Sequence, residues 1–207
     1  MALTTPAEIF AEAQAAMTNG DWDGFFATLD RDDLMKIAAN GVNRLVGQGP
    51  SGAAILRDLG AEHSINAEMV AELIAGAERI VSSARAATTS ADHRAIVGAY
   101  EDLLKRMLKG IADPGRFAAA LERTFRAAGS GGSVSSSLFV GERLEGVEID
   151  GHRAWGTRRL DGGGTEDIGF AKRGGGWFIR LLARRPRARG SRPGGGTQSP
   201  RSEDIDT

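Results

Sequence analysis

The sequence predicts an α+β fold, with a helical N-terminal two-thirds packed on a curved antiparallel β-meander of four to five strands. Three observations carry this expectation. Up to about residue 130, apolar residues recur at helical spacing between capping residues. From residue 144 to residue 182, short apolar or alternating runs are separated by turns at Asp150-Gly151, 161–164 and 174–176. Helices first and a curling sheet last leaves few ways to bury both.

The elements follow in order. Thr5-Pro6-Ala7-Glu8 is a capping box with proline at the first helical position, ahead of a stripe of Ile9, Phe10, Ala13 and Met17. Asn19-Gly20 ends that helix. Asp21 caps a short helix carrying Trp22, Phe25, Phe26 and Leu29. Asp30-Arg-Asp-Asp33 caps the next, with Leu34, Ile37, Val42 and Leu45 on one face, and Gly47-Gln-Gly-Pro-Ser51 breaks it. Ser51 is the expected cap of a helix through Leu59. Two longer helices are expected from Ser64 to about Ala87 and from Ser90 to about Ile111, forming a hairpin across Thr88-Thr89-Ser90. The first places Ile65, Met69, Leu73, Ile80 and Ala84 on its stripe. Asp113-Pro114 opens a last helix with Phe117, Leu121 and Phe125, ending at Gly129. Strands are expected at 134–140, 144–149, 153–160, 167–172 and 177–182. Asp150-Gly151 is the strongest turn, because type I′ geometry needs positive φ at both central residues. Gly146, Gly156 and Gly169 fall inside strands, where glycine marks bulges or bends.

The domain reading is one α+β domain over 1–183, with a helical insertion at about 47–128 and a disordered Arg/Gly/Pro/Ser-rich tail at 184–207. No internal repeat is found. The chain has no cysteine, which excludes disulfides and thiolate chemistry. Its net charge of −1 gives no global attraction for nucleic acid or anionic membrane. No signal peptide and no membrane span are expected, which makes the cytoplasm the default location. Residues 183–201 carry six arginines and no acid. That segment alone could hold nucleic acid, and weakly, since no aromatic residue is interleaved for base stacking.

Both ends of the chain resemble one known superfamily. An N-terminal helix runs into Asn19-Gly-Asp-Trp-Asp-Gly-Phe-Phe26, followed by Leu29-Asp30, and the last strand ends in Gly-Gly-Gly-Trp177-Phe-Ile-Arg-Leu181. These segments are similar to the opening and closing motifs of the nuclear transport factor 2-like (ketosteroid-isomerase-like) proteins. The resemblance covers roughly residues 5–45 and 134–182. It implies a cone, in which helices close the mouth of a curved sheet around a pocket. It also implies homodimerisation, through the outer sheet face. Residues 47–128 depart from the pattern, being helical where many members place a hairpin, so an extra helical hairpin could fill the pocket.

The candidate chemistry is sparse. His93 and Tyr100 lie seven apart on one helix and share a face, with Asp92 and Glu101 beside them. A pocket there could use His93 as base and Tyr100 at an oxyanion. The competing account leaves His93 in an exposed first turn and Tyr100 in the core with its hydroxyl at the rim. Trp155, Phe170 and Trp177 are the candidate pocket lining, against the simpler account that they form core. An inward-pointing Arg158, Arg159 or Arg180 would need an anionic ligand or a buried partner such as Asp167. Three separated histidines give no metal motif, and the glycine loops lack the lysine of a phosphate loop, so no metal and no cofactor is expected.

The function these features predict is a non-enzymatic cone-fold module that binds a partner protein or a small apolar ligand. One alternative is a small-molecule isomerase, dehydratase or hydrolase with an acid/base site in the cone. The other is an adaptor acting through the basic tail.

Overall fold

A computed structural model of the chain describes residues 5–86, 89–129 and 131–185. Among these residues seven helices precede a four-stranded antiparallel sheet of order β1-β2-β3-β4. The helices are α1 (Pro6–Asn19), α2 (Trp22–Ala27), α3 (Arg31–Gly47), α4 (Pro50–Glu62), α5 (Ala67–Arg85), α6 (Ser90–Lys109) and α7 (Pro114–Ala127). The strands are β1 (Arg143–Asp150), β2 (Arg153–Arg159), β3 (Thr165–Arg173) and β4 (Gly176–Arg180). The α+β arrangement expected from the sequence is therefore present.

Most helix starts are where side-chain chemistry puts them. Thr5 Oγ1 accepts from the Glu8 amide and Glu8 returns a bond to the Thr5 amide, completing the capping box. Gly20 ends α1 at φ +67. Asp21, Asp30, Thr89 and Asp113 each accept an orphan amide at the start of α2, α3, α6 and α7. Two caps differ from expectation. Asn66 rather than Ser64 caps α5, because Asn66 Oδ1 reaches two amides, those of Glu68 and Met69. Gly49 leads α4, and the Ser51 hydroxyl donates back to the Gln48 oxygen.

The strand expected at 134–140 is absent; this stretch is a chain of turns. Phe139 adopts φ +64, and its amide donates to Glu142 Oε1 at 3.0 Å, so the backbone donor a strand would use is taken locally. Gln14 Nε2 donates to the oxygens of Phe139 and Glu142, both at 2.9 Å, which fastens the turns to α1. The register of β1 on β2 shifts between Glu145 and Glu148, a bulge around Gly146 at φ +59.

Two hydrophobic clusters share α3 and α7 as a common wall. The first lies between α1, α2 and the inner sheet face and includes Phe10, Phe25, Phe26, Phe139, Phe170, Trp177 and Ile179. The second is helical and includes Val42, Leu45, Leu56, Leu73, Met107, Phe117 and Phe125. Successive residues of one helix serve both, with Leu34 and Ile37 in the first cluster and Ala38 and Val42 in the second. The start of α3 is also tied to the sheet edge. Leu29 bridges Ile179, the Asp30 amide donates to the Ile179 oxygen at 2.8 Å, and Asp33 Oδ2 accepts from the Leu182 amide at 2.9 Å.

After β4 the chain turns back over the outer sheet face. Ala183 and the Trp155 ring both lie over Gly169, where an added β carbon would come within 3.1–3.2 Å of them. Arg185 pairs with Glu148 on β1. The remainder of the expected basic tail, from residue 186, lies outside the described residues, as do Ala87, Thr88 and Ser130.

Candidate functional site

The inner face of the sheet is filled by aromatic and aliphatic side chains rather than open. Phe170 and Trp177 are buried in the first cluster at 1% and 3% exposure. Trp155 does not join them. It pairs with Gly169 while Ala154 pairs with Phe170, and alternation along the strand puts Trp155 on the opposite face. Of the strand arginines, Arg158 is buried and Arg159 exposed. Arg158 is neutralised by Glu142 at 2.9 Å and by Glu166, not by Asp167. Its guanidinium also lies 5.1 Å from the Phe139 ring centre. With two carboxylates already on it, this arginine has no need of an anionic ligand.

The larger opening lies among the helices. A groove of about 590 Å³ sits between the end of α3, the start of α4, the second half of α5 and Tyr100 of α6. Val46, Pro50, Ala53, Ile74, Ala77, Ile80 and Val81 give it an apolar surface. Asn43, Arg57, Glu78, Ser82 and Tyr100 supply polar groups to the same lining. The volume falls within the range of small-molecule sites. A smaller slot of about 330 Å³ lies where α2 and α3 meet the start of α7 and the β3–β4 turn.

The local folding that makes the groove is readable. The α3–α4 corner is closed by the Gln48 and Gly49 amides, which donate to the oxygens of Leu45 and Val46 at 3.0 and 3.1 Å. Gly49 takes φ +69 there, a conformation that glycine adopts without a Cβ penalty. Gly76 lets α5 approach α6, since a β carbon at that position would meet Tyr100 Cδ2 at 3.3 Å. Tyr100 then reaches across, and its hydroxyl donates to Asn43 Oδ1 at 2.6 Å.

His93 and Tyr100 are not brought together at a shared centre. Each has its own partner, and seven helical residues separate them by about 10 Å along the axis. His93 Nδ1 lies 3.1 Å from Ser83 Oγ, and the Ser83 hydroxyl also donates to the Ile80 oxygen at 2.9 Å. A serine nucleophile would give its proton to the imidazole; here the hydroxyl is aimed at a helix carbonyl, and the pair joins α5 to α6. Asp92 is occupied with Thr89 at the α6 cap, and Glu101 is exposed. His63 sits edge-on to Phe117 at 5.2 Å between ring centres, and burial lowers its pKa below the usual histidine value. Among the described residues no group of three or more His, Asp or Glu side chains could hold a metal ion. No helix among them is long and apolar enough to cross a membrane.

Burial raises the Tyr100 pKa above the ordinary tyrosine value. A folded-state pKa above the unfolded one contributes stability that is complete below the unfolded pKa and is lost as pH rises through the folded one. Ultraviolet titration of this single tyrosine is expected to show a midpoint above about 10, the ordinary value. A midpoint at the ordinary value would place the ring in solvent.

Protein-family models, curated proteins and solved structures give no match to this chain. Of the groove residues, the sequence singles out Tyr100 alone as a site candidate. The expected stripe is not the face α5 buries: Val70, Leu73 and Ile74 are buried, whereas Ile80 lines the groove and Ala84 is exposed.

Proposed function

We propose that this protein is a non-enzymatic binding module whose site is the groove bounded by α3, α4, α5 and α6, and that the groove takes a small apolar ligand. The observation that carries this reading is the groove itself: about 590 Å³, aliphatic along its length, with a single tyrosine–asparagine pair and two exposed charges around it. Apolar walls with a few placed polar groups are the usual composition of a small-molecule site. The reading retains the ketosteroid-isomerase-like resemblance as a proposal for the sheet and its covering helices, and moves the binding site from the sheet to the helical segment. The separate hydrogen-bonding of His93 and Tyr100 favours binding over acid/base chemistry.

The test is a fluorescence titration with anilinonaphthalene sulfonate as an apolar probe. One site is expected on the wild-type protein. Ala77→Trp, which fills the groove, is expected to weaken binding at least about tenfold, or about 1.4 kcal/mol. Val147→Ser, at the exposed bulge of β1, is expected to leave it unchanged. Equal binding by the wild type and Ala77→Trp would refute the assignment.

A further inference from the structure

Helix α5 carries a face that its own fold leaves uncovered. Its buried residues are Val70, Leu73, Ile74 and Gly76, all in the first half. In the second half Val81 is 50% exposed, and Glu78, Ala84 and Arg85 are exposed around it. Neither Glu78 nor Arg85 belongs to an ion pair among the described residues.

The order of these side chains is self-complementary. Glu78, Val81 and Arg85 stand at i, i+3 and i+7 and therefore share one face. The acid precedes the central valine by about 4.5 Å along the axis and the base follows it by about 6 Å. A two-fold axis through Val81, perpendicular to α5, reverses the second helix. Arg85 of the second copy then comes level with Glu78 of the first to within about 1.5 Å, and the reverse pair forms by symmetry. A parallel arrangement would set like charges against each other.

We propose that two copies of this chain associate through α5, antiparallel about Val81, with two reciprocal Glu78–Arg85 ion pairs flanking a Val81–Val81 contact. Charge order commits the face to a second copy, because an acid and a base mirrored about an apolar centre are what an isologous contact requires. The seam also lays each copy across the neighbouring mouth of the other's groove, since Glu78 and Val81 line it. The dimer does not depend on a ligand being bound there. One helix per copy makes a small interface, so the association is weak and is measured at high concentration.

Sedimentation velocity on the full chain, from about 5 to about 500 µM without added ligand, tests this across the range of weak interfaces. The wild type is expected to shift from monomer to dimer. Glu78→Arg and Arg85→Glu, both at exposed positions, are each expected to weaken dimerisation at least about tenfold by facing like charges. The double variant Glu78→Arg/Arg85→Glu exchanges the charges and is expected to recover dimerisation to within about threefold of the wild type. A wild type that stays monomeric throughout overturns the proposal. So do single variants that dimerise like the wild type, or a double variant that fails to recover. Circular dichroism on each variant separates loss of association from loss of fold.

Discussion

Replacing Gly52 by alanine is expected to destabilise the protein by more than about 3 kcal/mol, among the largest costs a single methyl can carry. Gly52 lies in the first turns of α4, seven residues after Leu45 near the end of α3. A β carbon there would fall 1.8 Å from the Leu45 carbonyl oxygen and 2.7 Å from its carbon. Both atoms are backbone, so no rotamer change relieves the clash, and the α3–α4 corner has to open. That corner carries Val46, Pro50 and Ala53, so the groove should lose its shape together with stability. Gly98→Ala on α6 is the control: a β carbon there meets open space, and the change should gain about 0.5–1 kcal/mol from helix propensity. Chemical denaturation of the two variants measures both. An unchanged midpoint for Gly52→Ala would mean that the helices do not meet as closely as described.

The second large effect is expected at Glu142. Its carboxylate takes Arg158 Nη1 at 2.9 Å and the Phe139 amide at 3.0 Å, and both side chains of the pair are nearly excluded from solvent. Glu142→Ala leaves a buried guanidinium with Glu166 alone and strips the amide of its acceptor. Removing one partner of a buried pair costs about 3–5 kcal/mol. The double variant Glu142→Leu/Arg158→Met should recover much of this, because no buried charge is left unpaired. Denaturant midpoints for the two variants decide it. A cost under about 1 kcal/mol for Glu142→Ala would place the pair with ordinary surface bridges.

The order of elements was legible because local chemistry announces itself. Thr5, Asp21, Asp30 and Asp113 each sit one residue before a helix and cap it. The β1–β2 hairpin falls where Asp150-Gly151 signals it, although Asp150 ends β1 opposite Arg153 and the loop is Gly151-His152. Positive φ occurs there at Gly151 alone rather than at the type I′ pair expected. The segment 134–140 reads as a strand in sequence because Val134, Leu138 and Val140 are strand-forming. Its fate is set by Glu142 and by Gln14, 125 residues away from Phe139 in sequence. Ser64 reads as the α5 cap because serine is a capping residue, whereas the helix starts two residues later, where Asn66 Oδ1 reaches two amides. Trp155, Phe170 and Trp177 group together by residue type, whereas strand register separates Trp155 from the other two.

The groove was legible only in part. Tyr100 was singled out, and it does line the groove. Asn43, Val46, Pro50, Ala53, Ile74 and Val81 come from three other helices and form no motif. Their convergence depends on two close glycine contacts, Gly52 on Leu45 and Gly76 on Tyr100, which nothing in the local sequence distinguishes from the other glycines.

Methyl chemical-shift mapping of the probe complex tests the central claim most directly, because it reports where the ligand sits. The account predicts shifts at the methyl groups of Val46, Ile74, Ile80 and Val81, which line the groove, and none at Val134, Ile168 and Ile179 on the sheet side. Shifts confined to the sheet methyls would contradict it and return the binding site to the face between α1 and the sheet.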